Sequence, residues 1–403
     1  MWDKQIAIDQ VRAISLRGKI YFGVGAITYI EEIIGELQKE GVEKLLVVTG
    51  KNAYISCGAW EVIESVLLSK GVKFAVYSGV TPNPTAAQVD AAVQLGVSVG
   101  AQAVIGIGGG SAIDAAKSAA VMLKYPDKKC ADLYEYTFTP TEALPIVAVN
   151  LTHGTGTECN RFAVVSIPEK NYKPAIAYDL IYPRYAIDDP ALMTGLSLAQ
   201  TRYVSIDAMN HVIEAATSRS ANTLSIQLAA ETIRLVTEYL PLAEKDPKDL
   251  KARYFLAYAA MIAGWAFDNG LLHYTHALEH PLSAVKSDLA HGLGLAMLLP
   301  AVVENIWQES GPLLAQLFAP FAPGLDGSPK GAAKAAHAVQ KFLVAHGVSE
   351  KLSDLGFTED DVPVLTELAM NTPSLGGLLD QAPTFADRVA VSAIYLNSMT
   401  MNP

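Results

Sequence analysis

Between Asp207 and His291 the chain gathers five of its eight histidines, together with Asp207 and Glu214. Helix positions four apart lie one turn above each other, so Asp207 and His211 can face one point, as can His276 and His280. His291 follows shortly downstream, in the dipeptide His291-Gly292. One carboxylate with two or three imidazoles makes a mixed oxygen and nitrogen site. Such a donor set suits Fe(II), Zn(II), Mn(II) or Co(II) rather than Ca or Mg, and it needs no cysteine. A lone histidine on an apolar helix has an ordinary structural reading. A dense polar cluster within Ala- and Leu-rich helices requires a shared partner to be satisfied.

A second group of residues speaks for an anion. Gly108-Gly109-Gly110-Ser111, leading to Asp114 and Lys117, stands where a strand hands over to a helix. Glycines let a backbone approach a ligand closely, and the free N–H groups and dipole of the helix start attract negative charge. The spacing is not the G-x-G-x-x-G fingerprint, because Ala112 and Ile113 follow Ser111. A loop rich in small hydroxyl residues, Thr152-His153-Gly154-Thr155-Gly156-Thr157-Glu158, follows the apolar run Pro145 to Val149. In open parallel sheets ligands collect at the carboxyl ends of strands, so both loops are expected to line one crevice.

The elements that must position these groups follow from periodicity. Short β-branched runs at 19–25, 44–49, 73–77, 103–107 and 145–149 alternate with helical patterns such as 27–37, 59–68 and 86–99. This alternation predicts a parallel sheet with helices on both faces. Phe162 to Ile167 and Pro174 to Tyr178 flank a polar turn and read as a β-excursion. Beyond Pro190 the pattern turns helical over 197–218, 223–239, 250–266 and 271–285, with no further strand. Asp188-Asp189-Pro190 and Gly195 break the texture, which places a boundary between an α/β domain at 1–192 and an all-α domain at 193–403.

At 403 residues the chain is long enough for two cores. It is 51% hydrophobic and 18% charged, with a net charge of -11. That balance excludes a basic nucleic-acid surface and a polybasic membrane patch. No apolar run is long enough to span a bilayer. Cys57, Cys130 and Cys159 are few and scattered, and Met1-Trp-Asp-Lys-Gln5 lacks a leader pattern, so a cytoplasmic protein with reduced thiols is expected.

Taken in order, these motifs resemble the iron-containing (group III) alcohol dehydrogenase family. The resemblance runs through Phe22-Gly-Val-Gly25, Pro82-Asn-Pro-Thr85, the glycine loop, Gly154-Thr-Gly156 with Glu158, Lys173, Asp188-Asp-Pro190 with Leu192, and the Asp/His set ending at His291-Gly292. It implies a Rossmann-like, dehydroquinate synthase-like nucleotide-binding domain and a helical domain, with the active site in the cleft between them. It implies Asp207, His211, His276 and His291 as metal ligands, and a catalytic group of His280, Asp207 and His276, with His280 beside nicotinamide and substrate. It implies Fe(II), with Zn(II) as the alternative, and a homodimer or larger homo-oligomer. The cofactor contacts expected on this basis are Gly50, Lys51, Asn52, Pro82, Gly108, Gly109, Gly110, Ser111, Asp114, Thr152, His153, Thr155, Thr157, Lys173 and Leu192.

Three departures from the family pattern are visible. The interval from His276 to His291 is one residue longer, with His273 as a substitute ligand should His291 be displaced. His153 replaces a small residue, and Asn371-Thr-Pro-Ser stands where Asn-Pro-Arg is common.

The expected reaction is hydride transfer between a nicotinamide cofactor and a small to medium primary alcohol or aldehyde. Phe162, Phe267, Leu272 and Tyr274 are expected to give the pocket an apolar wall. Where many dinucleotide sites carry an acidic residue after the second strand, this chain has Gly50-Lys51-Asn52. The missing carboxylate removes a repulsion toward a 2′-phosphate, so NADP(H) is expected over NAD(H). A zinc polyol dehydrogenase is the nearer alternative. A dehydroquinate synthase-like lyase is the further one, since it needs several cations around the metal.

Overall fold

In the computed structural model, which describes residues 12–400, the first half alternates strands and helices. The order is β1 (Lys19–Phe22), α1 (Ile30–Lys39), β2 (Lys44–Gly50), α2 (Ala53–Ser56), α3 (Ala59–Ser69), β3 (Lys73–Val80), α4 (Ala86–Val99), β4 (Ala103–Gly108), α5 (Gly110–Met122), α6 (Cys130–Tyr134) and β5 (Ile146–Asn150). A small hairpin of β6 (Phe162–Val164) and β7 (Ala175–Ala177) and a last strand, β8 (Tyr185–Asp188), complete this half. Six strands form one parallel sheet in the order β1-β8-β5-β4-β2-β3, and β6 pairs antiparallel with β7. Apolar clusters cover both faces, which is why β4 and β5 are buried along their whole length and read as unbroken apolar runs.

The chain moves to one side of β4 for β2 and β3 and to the other for β5, β8 and β1. That reversal opens a crevice at the carboxyl ends of β4 and β5, whose last residues, Gly108 and Asn150, are paired neighbours. The glycine loop and the threonine loop therefore leave the sheet side by side.

The strand β8 differs from expectation. The sequence pattern predicts no strand here and places a break at Asp188-Asp189-Pro190. Tyr185 to Asp188 is instead wholly buried between β1 and β5, and Asp188 receives a hydrogen bond from Asn150 at 2.9 Å. Asp189, next in the chain, accepts from the backbone N–H groups of Gly25 and Ile27, which fixes the turn after β1.

The second half is helical: α7 (Leu198–Thr217), α8 (Thr223–Lys245), α9 (Leu250–Gly270), α10 (Tyr274–Val285), α11 (His291–Leu317), α12 (Ala332–Ala345), α13 (Val362–Asn371), α14 (Leu375–Leu379) and α15 (Arg388–Asn397). These helices share one large apolar cluster. Between α9 and α10 the chain turns by 107°. Leu271 takes a φ of 63° there, a conformation unusual for a residue with a branched side chain. Among the described residues no single helix is long and apolar enough to cross a membrane, and all three cysteines are free thiols.

Candidate active site

Helix α7 starts at Ser197, whose hydroxyl accepts from the Gln200 N–H, and it is buried without interruption from Ser205 to Thr217. Asp207 and His211 project from it one turn apart. His276 and His280 stand one turn apart on α10, and His291 is the first residue of α11. The three helix segments converge. Asp207, His276 and His291 each bring a ligand-type atom within 4.8 Å of the others. Asp207 Oδ1 lies 3.5 Å from His211 Nε2 and 3.6 Å from His276 Nε2.

The hydrogen bonds behind these groups fix which ring nitrogen carries the proton. His276 Nδ1 contacts the Glu214 carboxylate, His291 Nδ1 contacts the Glu279 carboxylate, and His280 Nδ1 meets the Lys173 carbonyl at 2.7 Å. Each of those oxygens can only accept, so each Nδ1 donates and each Nε2 is the atom left to face the shared space. Asp207 Oδ1 and His276 Nε2 are buried and have no hydrogen-bond partner. A divalent cation is the partner that fits such a donor set, and carboxylate-backed imidazoles are a recurrent support for metal ligands. His211 is held differently: its ring stacks on Phe267 at 4.4 Å and on His276 at 4.5 Å, and its Nδ1 has no hydrogen bond.

The electrostatics favour positive charge at this point. Burial pushes the Asp207 carboxyl up, but His211, His276 and His291 outweigh that effect and hold it at about 2. Burial pushes His276 down, and Glu214 with Asp207 more than reverse this, raising it to about 9. Carboxylates that favour a proton on His276 also favour a metal cation in its place.

His291 keeps its place despite the longer interval. Asn83, at φ 52° within Pro82-Asn-Pro-Thr85, donates from its amide to the carbonyls of Ser287 and Leu289, both at 3.0 Å. The loop before His291 is thereby pinned to the sheet half. His273 is fully buried, bonded to Thr217 at 2.9 Å, and stands outside the converging group.

A cleft of about 850 Å³ opens from these residues toward the carboxyl edge of the sheet. Gly50, Pro82, Gly108, Gly109, Gly110, Ser111, Asp114, Thr152, Thr155, Thr157 and Lys173 line it together with Asp207, His211, His276, His280 and His291. No side chain caps the start of α5. The glycines do more than admit a ligand. A Cβ on Gly109 would stand 2.7 Å from Thr152 Cγ2, and one on Gly110 would stand 2.6 Å from Thr155 Cγ2, so these glycines let the two loops pack together. Asp114 accepts from the Thr157 hydroxyl and the Val164 N–H, and Thr157 in turn accepts from Lys117. This network braces the threonine loop from beneath.

Four expected cofactor contacts are corrected, since none of them lines the cleft. His153 is fully buried and directed away from the cleft, with Nε2 accepting from Arg253 at 2.9 Å. Leu192 belongs to the apolar cluster beneath the sheet with Tyr185 and Ile187. Lys51 and Asn52 are exposed beside Gly50 but do not line the cleft. Of the expected apolar wall, Phe162, Phe267 and Leu272 are present, joined by Leu271 and Leu378. Tyr274 is buried, with its hydroxyl on the Phe385 carbonyl.

Two contributors were not singled out from the sequence. Asn83 carries a signal all the same, because an Asn between two prolines marks a turn whose amide is free to bond elsewhere. Glu279 carries one too, since a carboxylate between two histidines of an apolar helix demands a partner.

Comparison with known proteins agrees with this architecture. Residues 18–190 match the family model described as iron-containing alcohol dehydrogenase, and residues 201–399 match the model for the C-terminal part of the Fe-containing alcohol dehydrogenase family. The chain is 52% identical over 398 residues to the long-chain primary alcohol dehydrogenase AdhA of Thermoanaerobacter ethanolicus, covering 99% of this chain and 100% of that one. It is 34% identical to 1,3-propanediol dehydrogenase of Klebsiella pneumoniae, over 87% of this chain and 90% of that protein. Among solved structures, an archaeal halo-thermophilic alcohol dehydrogenase from a Red Sea brine pool superposes with a TM-score of 0.90 at 28% identity, covering 97% and 99% of the two chains. The NADH-dependent butanol dehydrogenase A of Thermotoga maritima superposes with a TM-score of 0.88 at 28% identity, again over 97% and 99%.

Proposed function

Because the chain belongs to the iron-containing alcohol dehydrogenase family, we propose that it interconverts small to medium primary alcohols and their aldehydes with NADP(H) as the favoured cofactor and Fe(II) as the metal. It is an oxidoreductase of the NAD(P)-dependent alcohol dehydrogenase type. In this reading Asp207, His211, His276 and His291 hold the metal, residues 1–192 bind the dinucleotide and 193–403 supply the metal site. The single observation that carries it is the convergence of Asp207, His276 and His291 within 4.8 Å of one another in the cleft, with Asp207 Oδ1 and His276 Nε2 buried and without a hydrogen-bond partner.

A divalent cation bound there supplies a Lewis acid, which eases loss of the alcohol proton and polarises the aldehyde carbonyl. The chain's own groups do the rest. His280 is buried and close to the Lys173 ammonium; burial and then that charge push its pKa well below the usual value, so the ring is neutral. With Nδ1 donating to the Lys173 carbonyl, Nε2 carries a lone pair facing the cleft and takes or returns the substrate hydroxyl proton. Phe162, Phe267, Leu271 and Leu272 form the apolar wall that receives an aliphatic chain and excludes water. The glycine loop and the uncapped start of α5 present N–H groups to the pyrophosphate.

The name of the Thermoanaerobacter relative supports a primary alcohol as substrate. A lyase acting on a phosphorylated polyhydroxy acid is disfavoured, because Lys173 is the only Lys or Arg among the described residues lining the cleft. The test is metal analysis with steady-state kinetics. Protein prepared without chelator should hold about one divalent ion per chain and oxidise a primary alcohol, as expected for a catalytic metal site that keeps a position open to substrate. His276→Ala should lose both metal and turnover. Full activity in metal-free protein would overturn the reading.

A further inference from the structure

Glu279, His280 and His291 form a second group of ligand-type atoms within 4.8 Å of one another, beside the first and sharing His291. What fills it is an ammonium. Lys173 Nζ lies 3.2 Å from Glu279 Oε2, 2.7 Å from Ser283 Oγ and 3.3 Å from His291 Nδ1. Glu279 is fully buried and Lys173 nearly so. An unpaired carboxylate could not be kept ionised at such a site, so Lys173 is its counter-charge. The same carboxylate oxygen contacts His291 Nδ1.

The two contacts have different consequences. An ammonium can only donate and a carboxylate can only accept, so a single Nδ1 cannot accept from Lys173 while donating to Glu279. The Glu279 contact is the closer one, and it puts the proton on Nδ1. Nε2 is then left bare, in a ring that brings a ligand-type atom within 4.8 Å of those of Asp207 and His276. Space for this arrangement is made by Gly294, one turn into α11, where a Cβ would stand 2.7 Å from Glu279 Cγ.

We infer that Glu279 is the positioning residue of the metal centre: with Lys173 as its counter-ion, it fixes the tautomer and aim of His291, the one proposed ligand whose side chain is partly open to solvent. Lys173 comes from the loop before β7 and Glu279 from α10, so the aim of His291 is also tied to the seating of the sheet half against the helical half. The inference rests on the proposed metal site and specifies how one of its ligands is held.

The experiment uses the full-length protein reconstituted with Co²⁺, whose visible absorption reports ligand number and geometry, with affinity read by chelator competition. Wild type should bind one Co²⁺ at the site that His276→Ala abolishes. Glu279→Ala combined with Lys173→Met, which removes both charges of the buried pair, should bind Co²⁺ about 10- to 100-fold more weakly, with an altered spectrum. Glu279→Gln keeps an acceptor oxygen and should lose less. Melting temperatures of the metal-free proteins separate a positioning effect from general loss of fold. Unchanged Co²⁺ affinity and spectrum in the double variant, or in Glu279→Gln if the double variant does not fold, would overturn the inference and leave the metal site standing. Failure of wild type to bind Co²⁺ would overturn both.

Discussion

Gly292 lies against the backbone of Tyr203 so closely that a Cβ on it would stand 2.2 Å from the Tyr203 carbonyl oxygen. This contact joins the first turn of α11 to α7, and it sets how near His291 can come to Asp207. The His291-Gly292 dipeptide is therefore one device: the first residue offers the imidazole, and the second allows the helices to approach.

Gly292→Ala should push the start of α11 away from α7. Overpacking of this kind costs about 1 to 3 kcal/mol. The expected outcome is a lowered melting temperature and a sub-stoichiometric metal content in the protein that folds. A variant with wild-type melting and full metal would show that the two helices part without consequence for His291.

His280 shares its helix face with His276, yet Nδ1 of His280 is committed to the Lys173 carbonyl and the residue is absent from the Asp207 group. If its role is to move the substrate proton, His280→Ala keeps the metal and lowers kcat by about 10²- to 10⁴-fold, the usual worth of a general base. Metal analysis alongside kinetics decides the matter. Loss of the metal in this variant would place His280 among the ligands.

The outline of the fold was legible because parallel strands buried on both faces read as apolar runs, and because the helices after α7 carry clear periodicity. The strand β8 was not: four residues ending in a buried aspartate give no period to read, and only the pairing with β1 and β5 reveals it. Asp207 with His211 and His276 with His280 were legible from spacing alone, since one helix turn dictates their alignment. Spacing says nothing of what stands behind a ring. The roles of Glu214, Glu279 and Asn83 depend on contacts across 62, 12 and more than 200 positions of sequence, which no local pattern encodes. His153 failed for the same reason. A histidine in a polar loop resembles a ligand contact, while its true partner, Arg253, lies 100 residues away.

That pair makes a pH prediction. Burial first, and then the Arg253 charge, push His153 down to about 3. The group facing it besides Arg253 is the Ser205 hydroxyl, which does not titrate in this range. The folded protein therefore holds His153 neutral while the unfolded chain takes up a proton near pH 6.5. As pH falls from 6.5 toward about 3, this residue costs stability at up to about 1.4 kcal/mol per pH unit, and above 6.5 it has no effect on the pH slope. His153→Gln keeps an acceptor for Arg253 and cannot titrate. Urea unfolding across this range should show the wild type losing stability relative to the variant. Parallel curves would mean that His153 charges in the folded state.

The proposed preference for NADP(H) rests on Gly50, the last residue of β2, which lines the cleft at the carboxyl edge of the sheet. A carboxylate at this place accepts from the adenosine ribose 2′-hydroxyl and repels a 2′-phosphate. Glycine does neither. Lys51 and Asn52 are exposed next to it, and a lysine has the length and flexibility to bind a phosphate at the mouth of the cleft without lining it in the free protein. Gly50→Asp should therefore move preference from NADP(H) toward NAD(H), read as the ratio of kcat/KM for the two cofactors. A Cβ there would stand 3.3 Å from the Val80 carbonyl oxygen, so the substitution also presses on the neighbouring strand. Gly50→Ala carries the same crowding without the charge and serves as the control. The expected order of NADP(H) preference is wild type and Gly50→Ala together, with Gly50→Asp well below. A wild-type enzyme with higher kcat/KM for NADH than for NADPH would show that the absent carboxylate does not set the choice.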